Sequence, residues 1–234
     1  MKTIVIVDAY ASGSVLGKKY KELGFKTIHL QSSEHITQKF LLSFTPEFFD
    51  VQLTASESFT ETLEIIQKYQ PEHIIAGTET GVSFSETLAY HCGLPSNKIE
   101  LLEARRDKVA MVQCAADHGL RVPKSETIQD ISELEEAVRN IDSWPVVIKP
   151  SASAGTDHVV IAETNTELLE TAKKILNLTN QLGLINKKAI LQEYISGTEF
   201  SVNAVSYEGV TKFTHIWKYH KKEVVTGKFA YDWE

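Results

Sequence analysis

The chain has 234 residues and a net charge of −7, with 42% hydrophobic and 24% charged residues, a globular composition that calls for a real core in one large domain or two modest ones. Basic residues cluster no further than pairs such as Arg105-Arg106 and Lys221-Lys222, which leaves no footprint for nucleic acid. Two cysteines, Cys92 and Cys114, without a C-x-x-C pair, argue against a disulfide framework and fit a reducing cytoplasm, while the apolar run Ile4–Val7, broken by Asp8, is too short for a signal peptide or a membrane span.

From the amino terminus, Thr3–Val7 is a continuous β-branched run of the kind that forms a parallel strand covered on both faces. It passes through the small residues Ala11-Ser12-Gly13-Ser14 into a helix carrying Val15, Leu16, Tyr20 and Leu23. Gly24 stops that helix, and Lys26–Leu30 is the next strand, closing a β-α-β unit. The alternation repeats with a strand near Val51, a helix over Phe59, Leu63, Ile66 and Tyr69, a strand at Ile74–Ala76 and a helix over Val82–Cys92. Ser83 and Glu86 are spaced as a capping box at the start of that last helix. Alternating strands and helices predict an open, mostly parallel sheet.

A helix over Asp107–His118 follows, ended by Gly119. The texture then changes. Ser132-Glu133-Leu134-Glu135 reads as a capping box opening a helix with Leu134, Val138 and Ile141 inward. After it come strands at Val146–Lys149 and Val159–Ala162, a helix over Leu168, Ala172 and Ile175, and a strand at Ala189–Tyr194. This is α+β patterning and marks a second domain. Phe200–Ser206 and Lys212–Tyr219 read as antiparallel strands joined at Glu208-Gly209.

The stretch from Trp144 to His158 carries the first chemical signal. Lys149 ends a buried strand, and the small residues Ser151 to Gly155 would let backbone N–H groups approach phosphate oxygens. A lysine that snorkels from a strand end into a plain turn is the competing reading. Neither G-x-x-x-x-G-K-[ST] nor G-x-G-x-x-G occurs, so the P-loop and dinucleotide fingerprints are absent. Ser12-Gly13-Ser14 is favoured as a tight turn over an anion site. His215 and His220 stand five apart in strand-like sequence and make no metal pair.

Three ordered segments carry a resemblance: Arg105-Arg106-Asp107-Lys108; Pro145-Val146-Val147-Ile148-Lys149-Pro150 with its small-residue loop; and Leu191-Gln192-Glu193-Tyr194-Ile195-Ser196-Gly197-Thr198-Glu199-Phe200-Ser201-Val202. In this order they resemble the motifs of the ATP-grasp superfamily, in its biotin carboxylase-like and L-amino-acid ligase branch. Ala76-Gly77-Thr78-Glu79-Thr80-Gly81 with Gly93-Leu94-Pro95 is similar to the pre-ATP-grasp domain. The resemblance implies an α/β chain: a Rossmann-like pre-ATP-grasp domain over 1–104, an α+β small subdomain over 105–188, and the first strands of a larger, incomplete subdomain over 189–234.

The resemblance also implies roles. Lys108 and Lys149 would reach the nucleotide phosphates and Ser151, Ser153, Ala154 and Gly155 would close over them. Gln192 would lie near the adenine amino group, Glu193 and Ile195 would offer backbone groups to its edge beside Tyr194, and Glu199 would accept from the ribose hydroxyls. Trp217, Lys218 and Lys228 are weaker candidates for a place near substrate.

The implied activity is ATP-dependent carboxylate–amine ligation through an acyl phosphate, releasing ADP and phosphate. The cofactors would be ATP and Mg2+, with the Mg2+ ligands expected beyond Glu234 and none in this chain. The partners would be ATP, a small carboxylate and an amine acceptor in the cytoplasm, with no nucleic acid and no membrane, and a homodimer left open. A non-catalytic ATP-binding module or an inactive fragment is the alternative.

Overall fold

The computed structural model describes residues 1–153, 157–225 and 228–233. The chain divides into two compact units. The first holds Met1–Arg121, a stretch from Ser151, and Thr179–Asn186; the second holds most of the remainder.

The first unit is a parallel sheet. Its strands β1 (Thr3–Val7), β2 (Lys26–Gln31), β3 (Val51–Thr54) and β4 (His73–Ala76) lie in the order β3-β2-β1-β4. The period-2 alternation of a strand explains why β1 is apolar throughout. Val5 and Val7 pack in one cluster with Ile28, Leu30, Ile66 and Leu88. Ile4 and Ile6 pack on the opposite face with Phe49, Leu16, Tyr20 and Phe25. The helices of this unit are α1 (Ser14–Glu22), α2 (Gln38–Leu41), α3 (Phe59–Lys68), α4 (Val82–His91) and α5 (Lys108–Asp117).

The strand order reverses between β1 and β4, the place where open α/β sheets leave a crevice at the strands' carboxyl ends. Here the two connections approach closely. A Cβ on Gly13 would lie 2.1 Å from the Gly77 carbonyl oxygen, so only glycine fits there. Asp8, fully buried at the end of β1, accepts from the Ser32 backbone N–H at 2.8 Å and hydroxyl at 2.7 Å, and ties β1 to the end of β2.

The expected helix stops are observed: Gly24 (φ 81°) and Gly119 (φ 75°) follow α1 and α5 in the left-handed region. The two capping boxes are not where the spacing put them. Helix α4 starts at Val82, with Gly81 at its N-cap and no side-chain cap, so Ser83 lies inside the helix; the Glu86 carboxylate pairs instead with Arg105, whose Nε donates at 2.6 Å. The second box is formed by Asp130 and Glu133, two residues upstream of the Ser132–Glu135 pair, and opens a 3-10 turn that feeds the next helix.

The second unit contains an antiparallel sheet of β5 (Ser125–Ile128), β6 (Val146–Pro150), β7 (Val160–Ala162) and β8 (Ala189–Glu193), in the order β5-β8-β6-β7. Strand β5 was not anticipated. One face of this sheet is covered by α6 (Leu134–Ile141) and α7 (Asn165–Ile175): Val146, Ile148, Ala189 and Leu191 are fully buried there with Leu168 and Ile141. Two hairpins follow, β9 (Phe200–Tyr207) with β10 (Val210–Lys218), and β11 (His220–Val225) with β12 (Lys228–Trp233), the second of them unforeseen. The Glu208-Gly209 turn has both residues at positive φ (47° and 78°), which matches the primed turns that join twisted strands.

Candidate functional site

In the first unit the site is organised around Lys108. Asp107 caps α5, its carboxylate accepting from the N–H groups of Val109 at 2.8 Å and Ala110 at 3.1 Å, which places Lys108 as the first helical residue. The Lys108 backbone N–H donates to the Ser151 carbonyl at 2.9 Å, and its ammonium donates to the Ser153 carbonyl at 2.6 Å. Ser151 and Ser153 are both buried. The first three residues of the small-residue loop are therefore gathered at the Lys108 ammonium, and they carry the N–H and hydroxyl donors an anion needs. Ala154 and Gly155, the rest of the proposed phosphate loop, lie outside the described residues.

Two residues of this assembly carried no signal in the sequence. Asn180, buried, donates from Nδ2 to the Ala152 carbonyl at 2.8 Å and to Asn186 Oδ1 at 2.9 Å. Its own Oδ1 accepts from the backbone of Leu182 and Leu184. An asparagine in a long connection is a weak marker by itself; only its three-dimensional position identifies it as the brace of the loop. Beside the start of α5, Arg105 holds Glu86 and Arg106 pairs with Glu79. Burial lowers the Arg106 guanidinium's pKa, and a buried charge of this kind requires such a partner.

In the second unit, register decides which residues share a face. Lys149 pairs with Ile190, and Val147 pairs with Gln192 on one side and Ile161 on the other. Lys149, Val147, Gln192 and Ile161 therefore stand on the face of the sheet opposite α6 and α7. Ile161 lines an open pocket of about 680 Å³, together with Tyr194, Ile195, Ser196, Gly197, Thr198, Glu199, Lys218, Tyr219 and His220. Tyr194, Ile195 and Glu199 are thus brought together as expected residues of one cavity.

Gln192 and Glu193 are not in that lining. Gln192 is buried and its Nε2 donates to Ser125 Oγ at 2.9 Å. The Glu193 carboxylate accepts from the Lys124 N–H at 3.0 Å, and its own N–H donates to the Lys124 carbonyl at 3.0 Å. Both residues fasten the end of β8 to β5 and the residue before it. Lys218 is in the lining; Trp217 is not, and stacks with His215 at 5.6 Å. Among the described residues no three His, Cys, Asp or Glu side chains gather where they could hold a metal ion.

Residues 106–227 match the family of the phosphoribosylglycinamide synthetase ATP-grasp (A) domain. Dapdiamide A synthase of Enterobacter agglomerans is 31% identical, the match covering 95% of this chain and 53% of that protein. Among solved structures, the L-amino acid ligase from Bacillus licheniformis superposes with a TM-score of 0.73 at 17% identity, over 93% of this chain and 52% of that one. N5-carboxyaminoimidazole synthetase from Staphylococcus aureus complexed with ADP gives 0.66 at 12%, over 94% and 55%. The chain spans about half the length of these relatives.

Proposed function

Because this chain belongs to the ATP-grasp family, we propose that it binds ATP for an ATP-dependent carboxylate–amine ligation, with the division at 1–104, 105–188 and 189–234 as its domain plan. The observation that carries the reading is the pocket of the second unit. Its lining holds Tyr194, Ile195 and Glu199, and it includes Ile161 from the sheet face that also presents Lys149. An aromatic and aliphatic floor beside one carboxylate suits a flat base joined to a sugar diol: the base packs on the apolar side chains and the hydroxyls donate to Glu199.

The chain's own groups meet the needs of phosphate binding. Lys108 and Lys149 supply ammonium charge, and the backbone and hydroxyls of Ser151 and Ser153 supply donors; phosphoryl transfer depends chiefly on such positioning and charge neutralisation. Gln192 and Glu193 would act by fixing the end of β8, from which the Tyr194–Glu199 segment continues. The proposed reaction activates a small carboxylate as its acyl phosphate, with ADP leaving and an amine displacing the phosphate. The binding argument is made on the ammonium groups; Mg2+ would add further charge neutralisation on the phosphates. No helix among these residues is long and apolar enough to cross a membrane, which suits the proposed cytoplasmic setting.

Calorimetric titration with ATP tests the binding. Lys149→Ala is expected to weaken it roughly ten- to a hundredfold, the scale of one charge-assisted hydrogen bond. Incubation with a panel of amino acids and analysis of the nucleotide products tests the chemistry. ADP with phosphate is expected, and AMP with pyrophosphate would overturn the ligation reading. Binding without turnover would favour a nucleotide-binding module.

A further inference from the structure

The pocket of the second unit has two polar walls of different origin. One is the segment from Tyr194 to Glu199; the other is Lys218, Tyr219 and His220, at the junction of β10 and β11. The two are locked together at the backbone. The Tyr219 N–H donates to the Glu199 carbonyl at 3.0 Å, and Lys218 stands directly across from Phe200, the neighbour of Glu199 in the chain. Among the described residues of the lining, Glu199 is the one acidic and Lys218 the one permanently cationic side chain.

A lysine in the pocket wall offers an anionic ligand a compact, strongly hydrated point charge. A ligand that combines a vicinal diol with an anionic tail satisfies both groups at once. We infer that Lys218 reads the phosphate tail of the nucleotide bound in this pocket, while Glu199 takes the sugar hydroxyls. This rests on the nucleotide reading of the same pocket and assigns within it a residue that sets preference for nucleotide over nucleoside.

The test compares ADP with adenosine, titrated calorimetrically into the whole chain as wild type, Lys218→Met and Lys218→Arg. Lys218→Met keeps the alkyl stem and removes the charge. It is expected to weaken ADP binding about tenfold, to leave adenosine within about twofold, and to reduce the salt dependence of ADP binding. Lys218→Arg is expected to restore most of the ADP affinity. Unchanged ADP affinity in Lys218→Met would overturn the inference, as would an equal loss for ADP and adenosine, which would mark a packing role. If the wild type binds neither compound, the nucleotide reading falls and takes this inference with it. Circular dichroism of each variant confirms that the exposed strand position has not altered the fold.

Discussion

The antiparallel sheet β5-β8-β6-β7 and the hairpin β9–β10 are neighbours in sequence and alike in strand chemistry, yet they live in different environments. In the sheet, Val146, Ile148 and Leu191 are fully buried under α6 and α7. In the hairpin, Phe213 is 69% exposed, Ile216 65% and Phe200 56%. Register places Phe200, Val202, Ala204, Phe213 and Ile216 on one face, an apolar run that ends at Lys218 across from Phe200. An apolar strand face therefore records a need for a covering layer, and the stabilisation arrives only with that layer.

The largest effect that would sharpen this contrast is expected from Leu191→Ala. It removes a fully buried side chain from the core of the second unit and should cost about 2–5 kcal/mol in urea unfolding. A cost under about 1 kcal/mol would mean that this core is no better packed than the hairpin.

A buried polar group tests the same idea in the first unit. His29 is enclosed among Tyr10, Phe44 and Phe49, and its Nε2 has no hydrogen-bond partner. Burial pulls its pKa down from the ordinary 6.5 to about 4. An unfolded chain takes up the proton near pH 6.5 while the fold resists it until about pH 4. The contribution is therefore complete above pH 6.5 and is lost as pH falls through that window, by roughly 3 kcal/mol in all. Denaturation midpoints at pH 7 and 4.5 measure it, and His29→Phe should flatten the difference. The nearby Tyr10 phenol, pushed up chiefly by burial and also by the Asp8 charge, stays protonated across this range.

Helix α5 lies between the two extremes, since none of its residues is buried. It should depend on its cap, and Asp107→Ala is expected to cost about 1 kcal/mol and to loosen Lys108 from the Ser151 carbonyl, seen as faster amide exchange at Lys108. The smallest effect is expected from Phe213→Ser, within about 0.5 kcal/mol of wild type. A loss comparable to that of Leu191→Ala would break the comparison and mark the hairpin as buried in solution.

Much of the architecture was legible because it is written in local terms. The β-branched run of β1, the glycine stops after α1 and α5, and the positive-φ turn at Glu208-Gly209 each depend on residues adjacent in the chain. The misplaced capping boxes show the limit. Ser83 and Glu86 have the right spacing for a cap, but the helix starts one residue earlier, at Val82, and Glu86 pairs with Arg105, nineteen positions away. Strand β5 went unread because its Ser-Glu-Thr-Ile pattern is mostly polar and is held by pairing to β8. In the site, the motif order pointed to Tyr194, Ile195 and Glu199, and more weakly to Lys218, whereas Asn180 and Asn186 are distant in sequence from the loop they brace.

What the sequence determined alone was most of the helices and strands, the small-residue loop after Lys149 and the family to which these motifs lead, since periodicity, turn chemistry and charge act over a few residues. Tertiary structure decided which carboxylate caps and which pairs, that the Gln192 side chain goes to Ser125, and that Lys218 joins Glu199 in one cavity. Those outcomes turn on competition between partners far apart along the chain, and hydrogen bonds and register settle it only once the strands have met.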